Sequence, residues 1–328
     1  MADTLTRLSV VIPLYKEEDN VERLVDELHA ALATYPGEFE LVLVDDGSTD
    51  RTREMLLDAR ANRGDHVMVI SHRLNLGQTQ AMQTGLKAAR GDVIAFMDGD
   101  LQNDPADIPA MVEKLETDHL DLLCGWRKNR QDTLDRTLPS RIANWLIGRV
   151  SGVALHDYGC SLKVGRRDVL ERLDLRGEMH RFIPLWVANL THPSRIAEIP
   201  VNHRARIAGT SKYGISRTPR VILDLLAAWF FLRFRERPGH FFGIAGLITG
   251  GLGGIALTYL FVLKLFGMDI GNRPLLLTGV LLALVGLQLI TTGLVAEMLT
   301  RLRSSSQPPL TKQTDAMGWT QGPNDHDE

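Results

Sequence analysis

Two long apolar runs late in the sequence constrain this chain more than any other feature. Phe241 to Phe266 holds one charged residue, Lys264, and Leu275 to Met298 holds one, Glu297, each near the end of its run. Both exceed the ~20 residues that an α-helix needs to cross a bilayer core. Two buried helices of a soluble core would satisfy the length, but such length without charge points to membrane spans. The mean hydropathy of −0.06 conceals this, because the apolar residues are concentrated late. Arg233, Arg235 and Arg237 precede the first run and Arg301 and Arg303 follow the second, whereas the connection from Met268 to Pro274 has one Asp and one Arg. Cationic flanks stay on the cytosolic side. The expectation is a multi-pass protein of the cell inner (plasma) membrane, with its soluble front and both termini in the cytosol. Gly246, Gly250 and Gly254 recur at four-residue spacing, a surface for close helix packing. It can join the two spans of one chain or join neighbouring copies into a homo-oligomer.

The totals exclude several classes. Net charge is −3 and pI about 6.4, so no strongly basic surface is offered to nucleic acid. Two cysteines, Cys124 and Cys160, make no disulfide framework and fit reduced thiols facing the cytosol. Leu8 to Leu14 is too short, and interrupted by Pro13, to be a secretory signal.

Ahead of the spans, apolar runs of strand length alternate with segments of helical period. Leu8 to Ile12, Phe39 to Val44, Val67 to Ser71, Val93 to Met97, Leu120 to Cys124 and Ile196 to Val201 read as strands, the first stopped by Pro13. Asp19 to Ala33, Asp50 to Ala61, Gly77 to Ala89 and Pro105 to Glu116 read as helices. This alternation predicts an α/β fold with a doubly wound, mostly parallel sheet. The strand ends carry the polar residues: Tyr15 and Glu17, Asp45 and Asp46, Asp98 and Asp100, and Arg127. Ligand sites of open parallel sheets lie at carboxyl ends of strands, so these groups can converge on one crevice. No GxGxxG follows the first strand and no GxxxxGK[ST] is present, which disfavours nicotinamide and NTPase chemistry.

Asp98-Gly99-Asp100-Leu101-Gln102 follows an apolar strand directly. Two Asp one residue apart can hold a hard divalent cation that also touches substrate phosphates, and a polar turn capping a strand would look the same. From Arg127 to Val150 arginines interleave with apolar residues, either a solvated basic helix face or a phosphate-binding, membrane-proximal helix. His203 to Tyr213 is a polar loop with phosphate-binding chemistry. Thr218 to Phe234 is amphipathic and rich in aromatics, as an interfacial helix before a span would be. The tail from Ser304 has a disordered composition.

Pro13-Leu14-Tyr15-Lys16-Glu17-Glu18, Val44-Asp45-Asp46-Gly47-Ser48, Asn75-Leu76-Gly77, Asp98-Gly99-Asp100-Leu101-Gln102 and Arg206-Ile207-Ala208-Gly209-Thr210-Ser211-Lys212 occur in this order. Together they resemble the family 2 glycosyltransferases, in particular polyprenyl-phosphate sugar transferases such as dolichol-phosphate mannose synthase, over roughly the first 240 residues. Asp157-Tyr158-Gly159-Cys160 also looks like the undecaprenyl-phosphate aminoarabinose transferase branch. The resemblance implies a GT-A-like domain over 1–217, an amphipathic juxtamembrane segment over 218–240, two transmembrane helices within 241–299 and a cytosolic tail over 300–328. It implies an inverting transfer of one sugar from a UDP- or GDP-sugar, UDP being favoured, to undecaprenyl or another polyprenyl phosphate. Pro13, Tyr15, Glu17 and Asp45 would contact the nucleoside and Asp46 would support that loop. Asp98, Asp100 and Gln102 would hold Mg²⁺ or Mn²⁺ on the donor diphosphate. Arg127, Arg136, Ser140, Arg206, Ser211 and Lys212 would bind the lipid phosphate. Asp157 would serve as a base or, ahead of that, as an organiser of the acceptor arginines. Lys16 stands where the family usually has Asn, and Asn103-Asp104-Pro105-Ala106 replaces an acidic double-proline stretch. Three alternatives stay open: a membrane-tethered nucleotide-sugar binding protein without turnover, a polysaccharide synthase (disfavoured by the missing Gln-x-x-Arg-Trp motif and the small number of spans), and a transferase with a soluble acceptor.

Overall fold

The computed structural model describes residues 7–128, 148, 152–177, 179–204, 230, 234, 237–271 and 274–305. The chain forms two compact units, Met1–Leu232 and Arg233–Glu328. In the first, strands β1 (Leu8–Leu14), β2 (Phe39–Asp45), β3 (Val67–Ser71), β4 (Val93–Phe96), β5 (Leu122–Trp126), β6 (Lys163–Arg166) and β7 (Ile196–Pro200) form one sheet of order β3-β2-β1-β4-β6-β5-β7. All neighbours are parallel except that β6 runs antiparallel to β4 and β5. Among the described residues of this unit the α-helices are α1 (Val21–Leu32), α2 (Thr52–Arg63), α3 (Gln78–Ala88), α4 (Asp107–Thr117), α5 (Arg167–Leu170) and α6 (Ile183–Val187). The mostly parallel, GT-A-like doubly wound architecture expected from the sequence is present.

The alternation of β1 sorts its side chains onto two cores. Leu8, Val10, Ile12 and Leu14 pack in one cluster with Leu24 and Leu28 of α1 and Ile108 and Val112 of α4. Val11 joins the other, with Ala81, Met82 and Leu86 of α3. Each such buried Val or Leu contributes about 1.5–3 kcal/mol relative to exposure, so the apolar runs decide the strand faces.

Several strand ends differ from the sequence reading by one or two residues, and two of these differences shape the site. β1 continues through Pro13 to Leu14, still paired with β2 at Pro13–Val44 and Leu14–Asp45. The β4 ladder ends earlier, at Val11–Phe96, where Met97 N donates to Val11 O. Residues two apart face the same neighbour, so the N–H that Pro13 lacks would point where β4 has already left. β5 runs on through Gly125 to Trp126, pairing Gly125 with Ile199 and Trp126 with Pro200. A Cβ at Gly125 would lie 2.9 Å from both Cys160 Sγ and Val201 Cγ2, so the glycine that looked like a strand end is what lets the neighbours close on it.

Away from the site, His29 Nε2 and His66 Nε2 lie 2.7 Å apart, edge-on to each other and to Phe39. Burial, then the His29 charge, hold the His66 imidazole below its ordinary value. A folded pKa below the unfolded ~6.5 means stability that is complete at neutral pH and is lost as pH falls through that value. The thermal midpoint is expected to fall between pH 7 and pH 5 by less in a His66→Leu variant than in the parent.

The second unit pairs α7 (Pro238–Leu265) with α8 (Pro274–Ser305). Both are long and apolar enough to cross a membrane. Their contact is made by glycines seven residues apart. A Cβ on Gly246 would lie 2.7 Å from Gly286 O, one on Gly253 2.8 Å from Gly279 O, and one on Gly239 3.4 Å from Gly293 O. Gly250 also packs on Gly286, but Gly254 has nothing within 4 Å. The four-residue repeat in the sequence is therefore corrected to a seven-residue stripe between the two helices of one chain. The interfacial segment Thr218 to Phe234, apart from Phe230 and Phe234, and the tail beyond Ser305 lie outside the described residues.

Candidate active site

Beyond the Val11–Phe96 pair, β1 and β4 part at the point where the strand order reverses, the place where open α/β sheets bind ligands. The segments after β1, β2, β4, β5 and β7 leave at this edge, and β6, being antiparallel, begins there.

The ends of β1 and β2 are tied together. Lys16 N donates to Ser48 Oγ at 3.0 Å and Glu17 N to Thr52 Oγ1 at 2.9 Å. The Glu17 carboxylate accepts from Asn20 Nδ2 at 2.6 Å, and Asp45 Oδ1 accepts from Ser48 N at 3.0 Å. Pro13, Tyr15, Glu17 and Asp45 are thus brought to one corner. Asp46 has a different task. Its carboxylate accepts from His72 Nδ1 (2.8 Å), Leu76 N (2.9 Å) and Gly77 N (2.8 Å), so it anchors the loop after β3. His72 also bonds Thr84 Oγ1 and so ties Asp46 to α3. Gly47, at φ +69°, admits Leu74, whose backbone carbon would meet a Cβ at 2.5 Å.

Lys16 has φ 55°, in the left-handed region where Asn is tolerated better than Lys. This gives a physical reason for Asn at that position. Lys16→Asn is expected to stabilise the protein by about 1 kcal/mol, read as a rise in thermal midpoint.

The carboxylate loop is shaped from below. Leu101 is buried and holds φ 61°, a strained conformation fixed by its seat in the core. Gln102 N donates to Asp100 Oδ1 at 3.2 Å, closing a tight turn. Asp98 accepts from Gln78 Nε2 at 2.6 Å. Burial first, and the Asp100 charge second, push the Asp98 carboxyl up to about 6, against opposing pulls from the Ser161 hydroxyl, Lys163 and Arg127. Among the described residues no three Asp, Glu, His or Cys converge as an all-protein metal cage. Two like-charged carboxylates beside an amide could hold a divalent cation with ligand phosphates completing the shell, and a cation would relieve the repulsion that raises Asp98.

At the other side of the loop, Arg127 grips Asp157 through Nε to Oδ2 (2.7 Å) and Nη2 to Oδ1 (2.9 Å). Each side chain is 14% exposed. Burial raises the Asp157 carboxyl, but the Arg127 hydrogen bonds and charge outweigh it and leave it below the usual carboxylate range. Gly159 N also donates to Asp157. Ser161 Oγ donates to Asn103 Oδ1 at 3.0 Å, and Asn103 bridges His203. Arg204 N donates to Gln102 O, while its guanidinium pairs with Asp104 and Glu27. Asp98 and Arg127 feel each other's charge, which places the carboxylate loop near the Arg127–Asp157 pair. Arg136, Ser140, Arg206, Ser211 and Lys212 lie outside the described residues.

Sequence reasoning missed Gln78, Ser161 and Lys163. Gln78 left no signal, being one polar residue at a helix start. Lys163 did: it is the single charge in Leu162-Lys163-Val164-Gly165, a run that is otherwise a buried strand.

A family model described as "Glycosyl transferase family 2" matches residues 9–174, from the first residues of β1 to just past α5. The chain belongs to this family. It is a family 2 glycosyltransferase, and two of its relatives cover nearly all of it. Dodecaprenyl-phosphate galacturonate synthase of Rhizobium johnstonii is 55% identical over 90% of this chain and 88% of its own length. Undecaprenyl-phosphate 4-deoxy-4-formamido-L-arabinose transferase of Pseudomonas fluorescens is 36% identical over 90% and 85%. Among solved structures, glucosyl-3-phosphoglycerate synthase of Mycobacterium tuberculosis, in a crystal with Mn²⁺, UDP-glucose and phosphoglyceric acid, superposes with a TM-score of 0.55. At 21% identity it covers 68% of this chain and 80% of its own, a likeness of fold.

Proposed function

We propose that this glycosyltransferase moves one uronic acid residue from a nucleotide sugar, a UDP-sugar in first place, to a polyprenyl phosphate at the cytosolic face of the inner membrane. The observation that carries the reading is the 55% identity, over 90% of the chain, to an enzyme named for dodecaprenyl phosphate and galacturonate. Two helices long and apolar enough to cross a membrane suit a lipid-borne acceptor.

In this reading Pro13, Tyr15, Glu17 and Asp45 take the nucleoside at the corner between β1 and β2, and Asp46 keeps the neighbouring loop in place. Asp98, Asp100 and Gln102 would hold Mg²⁺ or Mn²⁺, which draws off the charge that gathers on the departing diphosphate. The acceptor is a phosphate monoester with a second pKa of ~6, already largely dianionic at neutral pH. It needs orientation more than deprotonation. Asp157, held ionised by Arg127, is a poor proton acceptor and a good organiser: it fixes Nε and Nη2 of the guanidinium and leaves Nη1 for a phosphate oxygen. One displacement then suffices. A phosphate oxygen bonds to the anomeric carbon as that carbon's bond to the diphosphate breaks, and the configuration inverts.

The test is purified full-length protein in detergent with undecaprenyl phosphate, Mn²⁺ and a panel of labelled donors: UDP-galacturonate, UDP-glucuronate, UDP-glucose and GDP-mannose. Organic-extractable label from a UDP-uronate, at least tenfold above the neutral hexoses, is expected. Extractable product from none of the donors would refute the reading.

The carboxylate pair adds a pH signature. Without metal, the raised Asp98 carboxyl favours the protonated form, so its contribution to stability is present at low pH and lost as pH rises through about 6. A cation binds the ionised form. Apparent Mn²⁺ affinity, measured by calorimetry without donor, is expected to rise about tenfold from pH 5 to pH 7.

A further inference from the structure

Lys163 opens β6 opposite Phe96 of β4 and Cys124 of β5. Its side chain therefore shares their face of the sheet, within an apolar cluster, and it is 2% exposed. A buried ammonium is costly unless its surroundings compensate it. It donates to the Cys160 carbonyl oxygen, and no carboxylate lies within 4 Å of it among the described residues. The adjacent thiols are not its counter-ions: burial pushes Cys124 up to about 12 and raises Cys160 as well, so both are neutral. Asp98 and Asp157 feel its charge from farther away. A methionine would fill this space about as well, and exchanging a buried charge for an apolar group of similar volume is often neutral or stabilising.

What the ammonium holds is a turn. Cys160 lies between Asp157, which grips Arg127, and Ser161, which bonds Asn103. The turn is tight: a Cβ on Gly159 would stand 3.3 Å from Arg127 Nη2. We infer that Lys163 is a positioning residue for the acceptor end of the reaction, fixing the Asp157–Ser161 turn through the Cys160 carbonyl and thereby aiming the Arg127 guanidinium. This rests on the reading of Arg127 as a ligand of the acceptor phosphate.

The experiment compares full-length wild type, Lys163→Met, Asp157→Asn, the double variant and Arg127→Met. Initial rates are measured with undecaprenyl phosphate and the nucleotide sugar varied separately, alongside thermal midpoints. Lys163→Met is expected to keep or raise the midpoint, to lower kcat/KM for the lipid phosphate at least about tenfold, and to change the donor KM less than twofold. The double variant should match Asp157→Asn within about twofold, because both changes act through one turn. Wild-type acceptor kinetics in Lys163→Met would overturn the inference. So would equal losses toward both substrates with a lowered midpoint, which would make the ammonium a fold element only, and so would multiplicative losses in the double variant. An unchanged acceptor KM in Arg127→Met removes the phosphate-ligand reading and this inference with it. A raised acceptor KM there, beside an inert Lys163→Met, overturns the inference alone.

Discussion

Replacing Asp100 by alanine is expected to lower sugar transfer at least about a thousandfold while leaving the thermal midpoint unchanged or slightly higher. The two effects have opposite signs for one reason. Asp98 and Asp100 are like charges at a half-buried strand end, and the repulsion between them adds to burial in pushing the Asp98 carboxyl up to about 6. Removing Asp100 relieves that repulsion and should let Asp98 titrate closer to an ordinary carboxylate. The same removal takes away one of the two carboxylates proposed to hold the cation, and stabilising the charge of the leaving group is worth several kcal/mol. Product formation and thermal unfolding on the same preparation check both halves. A fully active Asp100→Ala protein would remove the metal assignment. An inactive one with a collapsed midpoint would make Asp100 a folding residue instead.

The second large effect falls on Asp157. Asp157→Ala removes both acceptors of a buried guanidinium and leaves Arg127 without its partner, a change that costs about 3 kcal/mol or more in buried pairs. Transfer is expected to drop about a hundredfold, because a freed guanidinium samples several rotamers. The pH dependence has a definite sign. Asp157 titrates below the usual carboxylate value in the folded protein, so its contribution to stability is present above the unfolded value and is lost as pH falls toward the folded one. Between pH 5 and pH 3 the wild-type midpoint should therefore fall more steeply than that of Asp157→Ala, as chemical or thermal unfolding across that range will show.

The layered fold was legible because strand and helix periods were undisturbed. Val10, Ile12, Leu41 and Leu43 repeat on one face of their strands, and Leu24, Leu28 and Leu32 repeat on one face of α1. Where the reading slipped, a single residue broke the local rule for a tertiary reason. Pro13 does not end β1 because its missing N–H meets no neighbour, and Gly125 does not end β5 because Cys160 and Val201 occupy the space of its side chain. The convergence of Asp45, Asp98 and Arg127 on one edge followed from strand direction. The division of labour between Asp45 and Asp46 became concrete only with the structure, since adjacent acids look alike until their hydrogen bonds are known. Lys163 was readable as an anomaly, one charge in an apolar strand, but its partner is a backbone carbonyl, which no side-chain pattern announces. In the membrane unit, glycine spacing was visible, yet which glycines meet depended on the register of α7 against α8.

The most direct measurement is mass spectrometry of the lipid extract after the purified full-length protein has been incubated with UDP-galacturonate, undecaprenyl phosphate and Mn²⁺. The account predicts a single hexuronate on each lipid phosphate, with one UDP released per lipid product. Release of UDP without a lipid-linked sugar, or a lipid carrying a growing polymer, would contradict it.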